Sequence, residues 1–492
     1  MHLAYRARAL AAVALGVAAA AATGPASTGS ASTGSASTGS ASTGSASTAP
    51  ASTAAPAGAS VTITPGVQRQ QRESRRGPSS TAQCEQSIHI ACYNPAQLQR
   101  AYNLPALYAR GITGKGATIV IIDPYGSPTI ASDLRNFDST EGVPGPPSLR
   151  IIRPAGKVPA FNPDNANMVG WASETTLDVE WAHTIAPGAR ILLAETPGGG
   201  PAGTVGMDQI VRAEKYVIRH HLGSVISQSF VAAEQAIGPA AITSLRGAYL
   251  AASAGHVTVL AGSGDSGATG FEPDQERYYT HRVTSWPASD PLVTAVGGTR
   301  LNLDANGNRN SADTVWNDTY NRTANQLVNG DNGPDPLAGG GGKSVVFGRP
   351  SYQNGVRGVV GSHRGVPDIS MSAACTGAVN VYQSFGGQPV GWYALCGTSE
   401  ATPLFAGIVA LADQVAGHPL GLINPALYKM AAEHSRGIMS VRSGNSTVSF
   451  RQGGHAYTVH GYGARAGYNL AVGLGTVNAR YFVPELARLA RR

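Results

Sequence analysis

Residues 395–403 read Leu-Cys-Gly-Thr-Ser-Glu-Ala-Thr-Pro, a turn of mostly small residues. The strongly apolar residues 403–412 follow at once and predict a buried helix. The turn therefore places Ser399 near a helix N-terminus, where the helix dipole and free backbone amides favour a developing negative charge. Ser399 is a candidate nucleophile, and an ordinary capping serine is the alternative interpretation of the same residue.

Four apolar runs of strand length lie upstream of this turn. They are residues 117–122, 189–194, 225–229 and 257–261. Because nearly continuous apolar strands alternate here with helical stretches, the pattern predicts an α/β fold from about residue 94, with a parallel sheet covered on both faces. In such sheets the chemistry gathers beyond the carboxyl ends of the strands.

A pair of carboxylates lies in residues 173–188, which predict a helix capped by Ser173 and ended by a Pro-Gly pair. Glu174 and Asp178 are four residues apart and share a face with two large apolar residues. These apolar neighbours favour an inward-pointing carboxylate pair over a solvated acidic face. Two such carboxylates cannot both ionise easily, so one pKa rises and one acid can hold a proton for the other. Glu180 and His183 lie off this face, and we expect His183 at the surface or at the helix end.

The N-terminal region divides into two segments before the globular part. Residues 1–24 resemble a signal peptide, with Arg6 and Arg8 ahead of an apolar run; an uncleaved anchor is the alternative. Residues 25–82 form a low-complexity linker rich in Ala, Ser, Thr and Gly, whose arginine-containing end is a solvated linker or a processing site. Residues 83–492 form one globular domain.

Composition narrows the class of protein. Of the 492 residues 62 are glycine, only 13% are charged, and the net charge of +7 is thinly spread, which argues against a nucleic-acid binder. Arginine far outnumbers lysine, as is typical of GC-rich bacterial genomes.

The four cysteines form two sequence-local pairs, Cys84 with Cys92 and Cys375 with Cys396, although the sequence allows three pairings. In an exported chain two disulfides are expected, and a bridge between Cys375 and Cys396 would hold the segment that presents Ser399.

Three motifs together resemble the sedolisin family of serine-carboxyl peptidases. They are the Gly-Thr-Ser turn at Ser399, the Glu174-x-x-x-Asp178 helix, and residues 262–268, which read Gly-Ser-Gly-Asp-Ser-Gly-Ala. Further matches lie at residues 285–289, 295–299, 339–344 and 366–370, so the resemblance covers the chain from about residue 94 onward. It implies a subtilisin-like three-layer fold with a central, mostly parallel sheet flanked by helices. Subtilisins share the Gly-Thr-Ser turn, but their catalytic histidine matches Glu174 here.

The resemblance also implies roles for four residues. Ser399 would be the nucleophile, Glu174 the general base, Asp178 the residue that orients Glu174, and Asp265 an oxyanion-stabilising acid that must be protonated. The implied function is a secreted, extracellular serine-type endopeptidase that works best in acid on protein or peptide substrates. A tripeptidyl-peptidase of the same family and an inert secreted binding protein are the alternatives. We expect a monomer, with no nucleic-acid partner and no membrane contact after signal removal.

The family pattern is broken at two places. Relatives commonly bind calcium near the C-terminus through two aspartates and loop carbonyls, but the matching positions here are Ser440 and Asn469. Without carboxylates an oxygen site binds calcium weakly, so we expect neither a tight calcium site nor another cofactor. The leader is also short for a family made with a long folded propeptide.

Asp123, at a strand end, either supports the carboxylate pair or caps the next turn, and Phe230 matches an aromatic wall of the family's substrate cleft.

Overall fold

Strands and helices alternate along the computed structural model, which describes residues 68–74, 77–198, 205–330 and 332–490. The strands are β1 (Gln68–Ser74), β2 (Ala91–Tyr93), β3 (Thr118–Pro124), β4 (Leu149–Ile152), β5 (Arg190–Thr196), β6 (Val225–Gln228), β7 (Ala232–Ala233), β8 (Thr258–Gly262), β9 (Ser285–Trp286), β10 (Thr294–Arg300), β11 (Thr314–Val315), β12 (Gly342–Gly348), β13 (His363–Val366), β14 (Ile369–Ser372), β15 (Gly377–Gln383), β16 (Gly391–Cys396), β17 (Ile438–Met439), β18 (Val448–Gln452), β19 (His455–Val459) and β20 (Thr476–Val477).

The helices are α1 (Thr81–Ser87), α2 (Pro95–Ala101), α3 (Pro105–Tyr108), α4 (Ile130–Glu141), α5 (Ala166–Ile185), α6 (Val205–Arg219), α7 (Glu234–Ile237), α8 (Pro239–Leu245), α9 (Gly247–Ala254), α10 (Arg322–Asn329), α11 (Arg357–Val360), α12 (Thr398–Ala416), α13 (Asn424–Ala432) and α14 (Ala479–Leu489). A 3-10 helix, Ser351–Val356, precedes α11.

The central sheet is parallel over most of its width. Its strand order is β17-β20-β14-β10-β8-β6-β3-β5-β4, and β11 pairs with β10 at the side. Every pair from β20 to β4 is parallel, whereas β17 and β11 pair antiparallel to their neighbours. This arrangement confirms the predicted fold class, and the four predicted central strands correspond to β3, β5, β6 and β8.

Strand β3 shows how the sheet separates two layers of core. Ile119 and Ile121 belong to the apolar cluster that contains helix α12, and the alternate residues Val120 and Ile122 belong to the cluster that contains helix α6. Since successive side chains of a strand point to opposite faces, the two clusters cover opposite faces of the sheet. Helices α5, α12 and α14 pack together on one face, and α6 and α9 pack on the other.

A second, four-stranded sheet has the order β1-β16-β15-β2. Its strand β16 leads directly into α12 and pairs antiparallel with both β15 and β1. Strand β1 falls within residues 25–82, so the linker assigned from composition contains one ordered strand. The disulfides are Cys84–Cys92 and Cys375–Cys396.

Helix α5 differs from its prediction in extent and in environment. It starts seven residues before the expected cap, because the Asn165 side chain accepts hydrogen bonds from the amides of Asn167 and Met168. Ser173 lies inside the helix, where its hydroxyl donates to the Val169 carbonyl oxygen. Of the two places expected for His183, the structure shows the helix end: His183 lies in the last turn and is fully buried, so it is not at the surface.

The predicted signal peptide, residues 1–24, lies outside the described residues, as does most of the predicted linker. In the part of the chain that the structure describes, no helix is both long and apolar enough to cross a membrane.

Candidate active site

Ser399 lies in the first turn of α12, as the sequence predicts, and is almost fully buried. Gly397 precedes the helix with φ +119°, a backbone conformation that glycine adopts at little cost. The Gly397 amide donates to the Ala373 carbonyl oxygen at 2.8 Å, and the Cys375–Cys396 disulfide ties the same two segments together. The turn that presents Ser399 is therefore fixed by both a covalent and a backbone link.

Asp265 holds the residue next to Ser399. Its Oδ1 accepts hydrogen bonds from the Thr398 amide at 2.8 Å and from Thr398 Oγ1 at 2.7 Å. The Gly264 amide lies 3.2 Å from Thr398 Oγ1. Asp265 is half-buried and lines a small cleft with Gly264 and Gly340. The structure thus places Asp265 beside the helix N-terminus that carries Ser399.

Ser229 connects the segment of Ser399 to the carboxylate pair on α5. Its hydroxyl donates to Asp178 Oδ1 at 2.7 Å, and its Oγ also lies 3.4 Å from the Ser399 carbonyl oxygen. In return, the Ser399 hydroxyl donates to the Ser229 carbonyl oxygen at 3.5 Å. Sequence reasoning did not assign Ser229 a role. The available signal was its position directly after β6, at the carboxyl end of a parallel strand.

The carboxylate pair lies on α5, which packs against α12. Glu174 and Asp178 are both fully buried, so the interpretation of an inward-pointing pair fits the structure. The two helices come close at Gly407, where an added Cβ would lie 2.5 Å from Ile185 Cβ and 3.2 Å from the Ala182 carbonyl oxygen. A side chain at position 407 would push the helices apart.

Burial raises the pKa of Asp178 well above its usual range, and the charges of Asp123 and then Glu174 raise it further, while the Ser229 hydroxyl bond opposes the shift. Asp178 therefore stays protonated at a pH where an exposed aspartate is ionised. Its Oδ2 has no hydrogen-bond partner among the described residues, so this oxygen can carry the proton.

Asp123 belongs electrostatically to the same group. It is the sixth residue of β3 and is fully buried. Burial raises the pKa of Asp123 to about 7; the Thr175 hydroxyl opposes this shift and the charge of Glu195 adds to it. Since the Asp123 charge also raises the pKa of Asp178, the structure favours a supporting role for Asp123 over a turn cap.

One aromatic residue and one acidic residue complete the surroundings of Ser229 and Ser399. Phe230, next to Ser229, is buried in the apolar core and packs edge-to-face on Trp171 at a centroid distance of 6.4 Å. Glu400 follows Ser399 and is fully buried; burial raises its pKa well above the usual range, and the Ser372 hydroxyl opposes this shift. Sequence reasoning did not single out Glu400.

Glu180 and His183 are not part of this group, in agreement with the sequence argument, but both are buried. Glu180 Oε2 accepts the Tyr382 amide at 3.2 Å, and His183 Nε2 lies 3.3 Å from Asp138 Oδ1. Their contacts are thus with β15 and α4, on another side of α5.

The chain is similar in sequence to several known proteins. The chain is 31% identical to kumamolisin from Bacillus sp. (strain MN-32) over 412 residues, which are 82% of this chain and 65% of kumamolisin. It is 27% identical to xanthomonalisin from Xanthomonas sp. (strain T-22) over 418 residues, 81% of this chain and 47% of that protein. It is 26% identical to sedolisin from Pseudomonas sp. (strain 101) over 390 residues, 78% of this chain and 60% of sedolisin.

The chain is a homologue of the sedolisins. This confirms the resemblance inferred from the motifs. The chain spans between about half and two thirds of the length of the three relatives named above. No protein-family model matches it.

The sedolisin fold is also found by structural comparison. The structure of Pseudomonas sedolisin, a serine-carboxyl proteinase, complexed with two molecules of pseudo-iodotyrostatin matches with a TM-score of 0.64 and 24% sequence identity. The match covers 80% of this chain and 97% of that structure. At this identity the likeness concerns the fold, which is subtilisin-like as predicted.

Proposed function

We propose that this sedolisin homologue is a secreted, extracellular serine-carboxyl endopeptidase that hydrolyses peptide bonds of protein or peptide substrates and works best in acid. The single observation that carries the proposal is the link from Ser399 through Ser229 to the buried Asp178. A merely capping serine has no need of a neighbouring buried carboxylate pair. Homology to the sedolisins, one of which is a serine-carboxyl proteinase of known structure, supports the same class of enzyme.

In the proposed mechanism the Ser399 hydroxyl attacks the scissile carbonyl carbon while Glu174 takes its proton and later delivers it to the leaving amine. Asp178, kept protonated by burial, donates its proton toward Glu174 and so holds that base in its ionised, correctly oriented form. When the C–N bond breaks, the acyl group remains on Ser399 Oγ as an ester. Water then attacks the ester carbon while Glu174 takes its proton, and that proton returns to Ser399 Oγ as the ester bond breaks.

The oxyanion of the tetrahedral intermediate would form near the N-terminus of α12. The backbone amides there and a protonated Asp265 supply hydrogen-bond donors for it. An ionised Asp265 would repel the oxyanion, so the reaction requires the protonated acid. Because Thr398 occupies Asp265 Oδ1, the proton belongs on Oδ2. This requirement is the physical reason for proposing an acidic optimum.

The first experiment compares cleavage of a denatured protein by the mature protein and by its Ser399→Ala variant, from about pH 3 to about pH 7. Ser132→Ala, at an exposed helical serine, is the matched control. We expect activity that rises toward acid, persists in the control and is lost in Ser399→Ala. A correctly folded protein that cleaves nothing at any pH would instead support an inert binding protein.

A tripeptidyl-peptidase is the second candidate, because relatives with that name also match. One is tripeptidyl-peptidase 1 from Dictyostelium discoideum, 26% identical over 322 residues. Peptides with free and acetylated N-termini separate the two activities. Cleavage of both, at internal bonds, supports the endopeptidase; release of tripeptides from the free N-terminus alone supports the tripeptidyl-peptidase.

A further inference from the structure

The loop before β20 contains Asn469, which stands where sedolisin relatives commonly have a calcium-binding aspartate. Asn469 is only 2% exposed, and all four hydrogen-bonding positions of its side chain are used. Its Oδ1 accepts the Ala471 and Val472 amides, both at 3.1 Å. These two bonds fix which end of the side chain is oxygen and which is nitrogen.

The Asn469 Nδ2 points at the carbonyl oxygens of its own loop. It donates to the Arg465 carbonyl oxygen at 3.2 Å and to the Gly467 carbonyl oxygen at 3.4 Å. Backbone carbonyls of this segment are the oxygens that a calcium ion would need, since calcium takes six to eight oxygen ligands. Here a neutral N–H donor meets them instead of a cation.

The second position that the family pattern gives to an aspartate is equally unsuited. Ser440 is exposed, and its Oγ accepts a hydrogen bond from the Arg442 guanidinium at 3.3 Å. Val441, between Ser440 and Arg442, packs in a small apolar cluster with Ala471 and Val472. This cluster brings the segment of Ser440 and the loop of Asn469 together. An arginine beside the position adds positive charge. Among residues 68–74, 77–198, 205–330 and 332–490, no group of three or more His, Cys, Asp or Glu residues could hold a metal ion.

The loop that contains Asn469 contacts the lining of the cleft beside Asp265. A Cβ on Gly341, which lines that cleft, would lie 2.1 Å from the Leu470 carbonyl oxygen. Ser370 in β14 donates its hydroxyl to the Val472 carbonyl oxygen at 3.0 Å. Order in this loop is therefore coupled by contact to the cleft and to the central sheet.

We infer that the Asn469 side-chain amide takes the place of a structural calcium ion: it cross-links the loop carbonyls and makes the fold of this chain independent of calcium. The inference concerns the loop and holds whether or not the chain is a peptidase. It also predicts that a single aspartate at position 469 is harmful, because a carboxylate there would face two carbonyl oxygens with no ion between them.

The test uses thermal unfolding of the Ser399→Ala protein at near-neutral pH, in excess EDTA and in millimolar CaCl2. We expect the same Tm in both solutions and no heat of binding when CaCl2 is titrated calorimetrically. A Tm that falls in EDTA and recovers in CaCl2 would overturn the inference. This measurement needs no variant at position 469 and no catalytic activity.

Two variants test the role of the amide. Asn469→Asp should lower the Tm in EDTA by several degrees, whereas Asn306→Asp, the same change at an exposed turn residue, should not. Ser440→Asp with Asn469→Asp should have a low Tm in EDTA that CaCl2 raises, because two carboxylates and the freed carbonyls then form an oxygen site. If Asn469→Asp is as stable as Asn306→Asp, the cross-link proposal fails. If Asn469→Asp does not fold, the wild-type comparison of EDTA with CaCl2 still decides the matter.

Discussion

Replacing Asp413 by asparagine should make the chain more stable at neutral pH than it is with its native residue. Asp413 lies in the last turn of α12 and is 5% exposed. Burial raises the pKa of Asp413 to about 7, although the Ser224 hydroxyl and the Leu420 amide oppose the shift. The negative end of the helix dipole is a further reason for the carboxylate to be unfavourable there.

The size of this stabilisation follows from the difference between the pKa of Asp413 in the folded chain and its pKa in the unfolded chain. An aspartate in an unfolded chain has a pKa of about 4, so a native value of about 7 is a rise of about 3 units, or about 4 kcal/mol. Because the native pKa is the higher one, this contribution to the free energy of unfolding is fully present below about pH 4. It is lost as the pH rises through the native value of about 7.

Asparagine has nearly the same shape as aspartate and does not titrate. Its Oδ1 can still accept the Leu420 amide, which lies 3.0 Å from Asp413 Oδ1. At about pH 4 the variant and the parent should differ by less than about 1 kcal/mol, and by pH 8 the variant should be more stable by up to about 4 kcal/mol.

Urea denaturation followed by tryptophan fluorescence measures this, in the Ser399→Ala background to prevent self-digestion. Asp164→Asn, at an exposed aspartate, is the control and should follow the parent. Parallel curves of unfolding free energy against pH for the parent and Asp413→Asn would refute the reasoning.

Three further predictions concern the site. Ser229→Ala should lower kcat roughly 10-fold in peptide hydrolysis with little change in KM, because it frees Asp178 without touching substrate-binding groups; an unchanged kcat would contradict this role. Asp265→Asn should extend activity to higher pH than the parent, since an amide donates without needing a proton, whereas an unshifted pH profile would argue against Asp265 as the titrating group. Replacing Cys375 and Cys396 by serine removes a cross-link of sequence separation 21 and should lower the free energy of unfolding, measured in urea, by ~3 kcal/mol. An unchanged free energy of unfolding would mean that other contacts order this turn in both the folded and the unfolded chain.

The parallel strands were predictable because a strand buried on both faces is apolar at every position. Residues 117–122 and 189–194 show this pattern and form neighbouring strands, with Ile119 opposite Ile191. The position of Ser399 at a helix start was predictable for a similarly local reason, since small residues precede a long apolar run.

The extent and burial of α5 were not predictable from its own residues. Periodicity identified the face shared by Glu174 and Asp178, but packing against α4, α12 and β15 covers the other sides too. Asn165 and Ser173 are both residue types favoured at helix caps, so the sequence did not decide between them, and the structure shows that Asn165 is the cap. Ser229 was missed because its partners are distant in sequence: it is 51 residues from Asp178 and 170 from Ser399.

The close contact at Gly407 has a consequence for how the site is adjusted. Gly407 is eight residues along α12 from Ser399, or about 12 Å at 1.5 Å per residue, and it touches the far end of α5, beyond Asp178. Because α5 and α12 pack against each other, a larger residue at position 407 would change the spacing between the two helices. The separation between Ser399 on α12 and the carboxylates on α5 can thus be tuned by a residue that lies outside the candidate site. Substitution at this crossing is a route to altering the geometry of the candidate site while every side chain within it stays the same.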